Sequence, residues 1–221
     1  MLKAKRILLI IFIIFLAILT SNYFSRREKD DNNFYRQLEN DANFLHSEII
    51  KIDEGLYFIV DNRQITNGRV RKEMGLSNET NIIPKSNGKI VYGYLYCDKP
   101  VQTPTAFSCT VRGRAYVKAI FEYGTFRFLD CTEVSWSAMG SNVFNVDNGE
   151  GAFHIDNYGK YLVIEGAFNV STDVPKEIGT GGNLAGWEID FSTGTTIHLR
   201  KWVRVRHEFN GDNIGRLYFV K

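Results

Sequence analysis

The chain has 221 residues, 44% of them hydrophobic and 24% charged. That fits one packed domain with an appendage and excludes a disordered chain. It carries 27 basic and 25 acidic residues. Three of the basic ones (Lys3, Lys5 and Arg6) precede an apolar run, so the remainder is close to neutral and gives no electrostatic case for nucleic-acid binding.

Residues 1–6 read as a short cytoplasmic tail. From Ile7 to Leu19 no side chain is polar. Extended to Phe24, a helix at about 1.5 Å per residue spans roughly 27 Å, enough for a bilayer core. Tyr23 and Phe24 suit the interface, and Arg26 and Arg27 stop further sliding. Residues 7–24 are therefore predicted to be a transmembrane anchor in the lipid bilayer. The alternative is a cleaved signal peptide, for which no A-x-A site follows. Basic residues balance across the segment, but long domains translocate whatever their charge, so the C-terminal part is expected outside the cytoplasm.

Residues 25–50 form a juxtamembrane link and helix. Phe34, Leu38, Ala42, Leu45 and Ile49 recur on one helical stripe, which predicts an amphipathic helix packed on its own domain. Residues 51–221 read as a β-rich domain. Strands are predicted at Gly55–Val60, Ile90–Cys97, Cys109–Phe121, Thr125–Trp136, Ala152–Ile155, Tyr161–Val170, Trp187–Phe191, Thr196–Phe209 and Arg216–Val220. In Cys109–Phe121, Val111, Gly113, Ala115, Val117 and Ala119 share one face, while Thr110, Arg112, Arg114 and Lys118 line the other. That is the period of a half-buried antiparallel strand. Asn-Gly pairs at Asn67-Gly68, Asn87-Gly88, Asn148-Gly149 and Asn210-Gly211 tolerate the positive φ of tight turns. The fold class is an all-β antiparallel meander preceded by two helices. Its edges are buried by closing into a barrel or by doubling into a sandwich, and the barrel is favoured.

Cys97, Cys109 and Cys131 show no zinc spacing. Outside the cytoplasm a pair tends to oxidise, and Cys97–Cys109, flanking one loop, is the expected disulfide; three unpaired buried thiols are the alternative. His198, Arg200, Trp202, Arg204 and Arg206 alternate on one strand face, a basic and aromatic stripe that makes a candidate binding face. Glu188 and Asp190 also share a face, as paired acids do in glycosidases, but a solvent-exposed strand face is the preferred reading. His46, His154, His198 and His207 form no metal motif, and no serine-hydrolase elbow occurs. Gly179, Gly181 and Gly182 lack the rest of a phosphate-binding loop. Asn78-Glu79-Thr80 and Asn169-Val170-Ser171 match glycosylation sequons. No catalytic residue, metal site or cofactor is expected.

The stretch Asn148 to Val163 (NGEGAFHIDNYGKYLV) resembles a segment of ToxS-type accessory proteins, which are bacterial single-pass inner-membrane proteins. The resemblance implies a periplasmic, lipocalin-like domain that assists a membrane-bound regulator, shares its barrel with a partner chain and has room for a small apolar ligand. Three functions follow as expectations. The first is a non-enzymatic accessory or sensor module with a membrane-protein partner. The second is an assembly component of an envelope machine such as a secretion system or pilus. The third is an exported carbohydrate-binding or carbohydrate-active protein, suggested by Trp187–Phe191 and Trp202–Phe219.

Overall fold

The computed structural model describes residues 35–62, 88–104, 107–176 and 184–220. The expected anchor, Asn67-Gly68, Asn87, the sequon at Asn78 and the glycines of 179–182 lie outside them. Among the described residues no helix is long and apolar enough to cross a membrane.

Helix α1 (35–44) follows the predicted stripe, and Leu38, Ala42 and Leu45 are buried. It ends earlier than the stripe suggests. Ser47 N–H donates to Ala42 O and His46 N–H to Asn43 O, with His46 at φ 51°. This pair of bonds is a helix-ending motif in which His46 takes the left-handed position usually held by glycine. Ile49 therefore starts strand β1 instead of adding a helical turn.

The strands are β1 (Ile49–Asp53), β2 (Leu56–Val60), β3 (Lys89–Val101), β4 (Cys109–Glu122), β5 (Thr125–Gly140), β6 (Asn145–Asp147), β7 (Ala152–Ile155), β8 (Tyr161–Pro175), β9 (Glu188–Thr193) and β10 (Thr196–Asn210). The first sheet is a meander in the order β1-β2-β3-β4-β5, and the second runs β6-β8-β10-β9 with β7 also on β8. All pairings are antiparallel. Tyr123 and Gly124, both at positive φ, make the two-residue turn whose twist suits the β4–β5 hairpin.

The meander expectation holds, but the favoured barrel does not: the strands form two sheets face to face. Strand β5 is the corner between them. Its register against β4 shifts twice, between Tyr116 and Val117 and between Lys118 and Ala119, and such bulges increase coiling. Its far edge then bonds to the second-sheet side, with Phe128 N–H on Gly159 O, Gly151 N–H on Val134 O and Trp136 N–H on Gly149 O. Phe58, Leu95, Val111, Phe126, Leu162, Ile164, Phe168 and Leu199 fill the space between the sheets.

Trp136 sits at this corner among glycines. A Cβ on Gly113 of β4 would lie 2.6 Å from its ring, and one on Gly166 of β8 or on Gly151 would lie 2.5 or 2.6 Å from its Nε1. The indole thus occupies volume that three missing side chains leave open.

The C-terminal segment corrects the strand expected at Arg216–Val220. Helix α2 (Gly211–Val220) starts where Asn210 Oδ1 accepts the Asp212 N–H at 2.8 Å, an N-cap. Ile214 and Tyr218, one turn apart, face the core, and Tyr218 packs on Phe121 and Phe126 at centroid distances of 4.9 and 5.3 Å. Gly211 and Gly215 let this helix touch the backbone at Phe126 and Gly124. Asn210-Gly211 is therefore a helix start and not a hairpin turn.

The Cys97–Cys109 disulfide is also corrected. Cys97 lies opposite Gly113, and Cys109 opposite Val101. The two are four residues out of register, about 13 Å along the strands, where a disulfide allows roughly 7 Å between Cα atoms. Cys97, Cys109 and Cys131 are free and buried, and burial pushes each thiol up to about 12.

Two outcomes are expected. The native chain should resist a thiol reagent at pH 8 while the unfolded chain, never reduced, yields three thiols; a Cys97–Cys109 bridge would leave one. Gly113→Ala and Gly166→Ala should each cost about 1–3 kcal/mol by overpacking against Trp136, read from denaturant midpoints.

Candidate recognition face

The two sheets differ in what covers their outer faces. On the first sheet, the outward side chains of β2, β3 and β4 (Tyr57, Ile59, Tyr94, Tyr96, Tyr116) form a second apolar cluster with Leu38, Ala42 and Leu45 of α1. Polar groups lie within this layer. Arg112 is 0% exposed and grips Asp98, directly across the β3–β4 ladder, through two bonds of 2.8 and 2.9 Å. Arg114 lies 3.9 Å above the Tyr94 ring, with Asp41 and Glu133 at 3.9 and 3.8 Å. Tyr96 donates to Asp41 of α1 at 2.6 Å, and Tyr116 donates to Asp61 at 3.0 Å. Burial, followed by the bond to Asp41, pushes the Tyr96 hydroxyl well above its ordinary value. The half-buried reading of β4 is thus corrected: α1 covers the face on which Arg112 and Arg114 were expected to meet solvent.

No described element packs on the outer face of the second sheet. The five predicted residues lie together there, projecting from the outward side of β10, and Trp202 is 62% exposed. Their neighbours on β8 follow from the register: His198 opposite Asp173, Arg200 opposite Ser171, Trp202 opposite Asn169, Arg204 opposite Ala167 and Arg206 opposite Glu165. His198 Nδ1 is 2.8 Å from Asp173 Oδ1, and Arg200 is 3.7 Å from Asp147 on β6. The stripe is basic only along its own strand; adjacent strands supply carboxylates, so the face as a whole is charge-compensated.

A trough crosses this face. One part, about 470 Å³, is bounded by Glu150, Ala152, Ala167, Trp202 and Arg204. A second, about 290 Å³, is bounded by His154, Val163 and Arg206. Glu165 borders both. The sequence reading missed Glu150 and Glu165 and weighed His154 only as a metal ligand. The alternation on β8 was available to suggest an outward Glu165, but no sequence signal paired β8 with β10.

The other candidates separate. Trp187 is buried, donates to Gln102 O at 2.9 Å and packs on Phe107 at 5.4 Å, so it is a core anchor and not a binding platform. Glu188 is exposed on β9 opposite Arg200; the side chain of Asp190 lies outside the described set. His46 ends α1, and among the described residues no three His, Cys, Asp or Glu groups are placed to hold a metal.

His207 lies on the inward side of β10, its ring 4.6 Å from Phe209. Its Nε2 is buried and has no hydrogen-bond partner among the described residues. Burial, reinforced by Lys99, lowers its pKa to about 4. Between about pH 6.5 and 4 the unfolded chain therefore binds a proton that the native chain does not, and stability falls with pH through that window. Melting temperatures measured from pH 7 to 4.5 should drop less steeply in His207→Phe than in the parent.

Comparison with protein-family models, curated proteins and solved structures finds no match.

Proposed function

We propose that the chain is a non-enzymatic accessory and sensor module of the bacterial inner membrane. In this reading residues 7–24 anchor it, the β-domain stands on the periplasmic side, and the uncovered face of the second sheet engages a membrane-protein partner. The observation that carries the reading is the asymmetry of the sandwich. One sheet is sealed by α1 over a buried Arg112–Asp98 pair; the other leaves a large indole, Trp202, in solvent. A well-separated tryptophan on an open sheet face is the kind of residue that dominates interface energies once a partner buries it.

The tether supports the same reading. Residues 25–34, even fully extended, reach about 35 Å, which keeps the domain near the bilayer and raises its effective concentration toward a membrane partner. Between the sheets the core is filled by Phe58, Phe126, Phe168 and Leu162, so this reading puts recognition on the outer face. The envelope-machine reading shares the anchor and the face and differs in what the face meets.

A photoreactive residue at position 200, with one at the exposed β4–β5 turn residue Tyr123 as control, tests this in intact cells. The expected result is a discrete adduct with one membrane protein from position 200 and none from 123. Adducts with several envelope-machine components would move the assignment to assembly. No adduct from 200, or the same adducts from both positions, contradicts the reading.

A further inference from the structure

We infer that the trough on the second sheet binds an uncharged oligosaccharide laid along β8. The inference rests on that face being the recognition surface and assigns the trough within it a ligand distinct from the protein partner.

Shape is the first argument. Val163, Ala152 and Ala167 give the trough a low floor, with Trp202 and Arg204 standing along the β10 side. From Val163 to Ala167, at about 3.3 Å per residue, the floor runs roughly 13 Å. That is the footprint of a short chain of rings and not of a single small molecule. Gly166 lies over Trp136, so the floor is backed by a packed indole and holds its form without a ligand.

The second argument is Trp202. Trp136 and Trp187 are 5% and 2% exposed and serve the core; Trp202 is set apart from them. An indole face presents a flat, weakly polar surface, matched by the C–H face of a pyranose ring.

The third is charge. The trough is bordered by two guanidinium groups, Arg204 and Arg206, and two carboxylates, Glu150 and Glu165. An anionic chain or a lipid headgroup laid there meets both carboxylates, and a cationic one meets both arginines. A hydroxyl both donates and accepts, so vicinal hydroxyls can bond to a guanidinium and a carboxylate at once. Arg206 and Glu165 stand directly opposite each other in the ladder, as that requires, about one strand spacing apart. Compensated charge with an aromatic platform selects a polar, neutral ligand and disfavours nucleic acid, anionic lipid and acidic peptide.

The test uses the full-length protein in a detergent without a sugar headgroup. Cellotetraose, chitotetraose and maltotetraose are the neutral probes; tetragalacturonate and phosphatidylglycerol vesicles are the anionic ones. Trp202 is the exposed tryptophan, so acrylamide quenching reports on the trough directly. At least one neutral tetraose should shield Trp202, with affinity insensitive to salt. Trp202→Ala should weaken binding by about 10-fold or more, while Trp202→Phe restores part of it, and both variants keep the parent melting temperature. The inference is overturned if no neutral tetraose binds, if only the anionic probes bind, or if Trp202→Ala binds as well as the parent. A protein adduct from position 200 with no tetraose binding leaves the recognition face standing and removes the glycan. Tetraose binding without any adduct keeps the glycan and removes the protein partner.

Discussion

The architecture depends on how Trp136 is accommodated. A strand whose far edge turns from its own sheet toward another needs a side chain large enough to fill the corner and backbones that can approach it. Trp136 supplies the first, and Gly113, Gly151 and Gly166 the second. Because each of those glycines belongs to a different segment, the indole fixes β4, β8 and the turn before β7 relative to one another. Close packing of this kind tolerates few added atoms. It also sets the backbone beneath the trough, so the corner that joins the sheets shapes the surface that the second sheet presents.

From that corner the two sheets take opposite courses. On the first sheet α1 covers the outer side of β2, β3 and β4, while that of β5 stays exposed, and the cost of burying charge beneath the helix is offset by pairing. Arg112 meets Asp98 in two parallel bonds, a geometry that suits a buried guanidinium. Arg114 lies over Tyr94 between two carboxylates. Asp41 brings α1 into this network through Tyr96, so the helix nearest the expected anchor is fastened by both a leucine stripe and a short polar bond. The second sheet offsets its charges strand by strand and keeps its outer side in solvent. A face covered by the chain's own helix on one side and an open face on the other is an arrangement suited to recognition.

Much of the fold was legible because its signals are local. The period-two pattern of Cys109–Phe121 located β4, Ala152–Ile155 was placed to the residue, and the Leu38–Ala42–Leu45 stripe located α1. What failed was non-local. Nothing in the spacing of Cys97 and Cys109 revealed a ladder that sets them four residues apart. The polar outer side of β4 read as solvent-facing because its partners, Asp98, Asp41 and Glu133, come from three other elements. Arg216–Val220 looked like a strand because five apolar-rich residues fit either period; the Asn210 cap and the Ile214–Tyr218 spacing decide for helix. The five residues of the β10 stripe were found from alternation alone, but their neutralisation by Asp173, Asp147 and Glu165 depends on strand order, which a sequence does not carry.

The claim that one sheet is sealed by its own chain and the other reserved for a ligand or partner is tested most directly by hydroxyl-radical footprinting. The full-length protein is labelled in native membranes and again after purification. The account predicts that Trp202 is oxidised readily in the purified protein and protected in membranes, while Tyr96 and Tyr116 beneath α1 are protected in both. Equal oxidation of Trp202 in the two preparations, or strong labelling of Tyr96 and Tyr116 in the purified native protein, would contradict it.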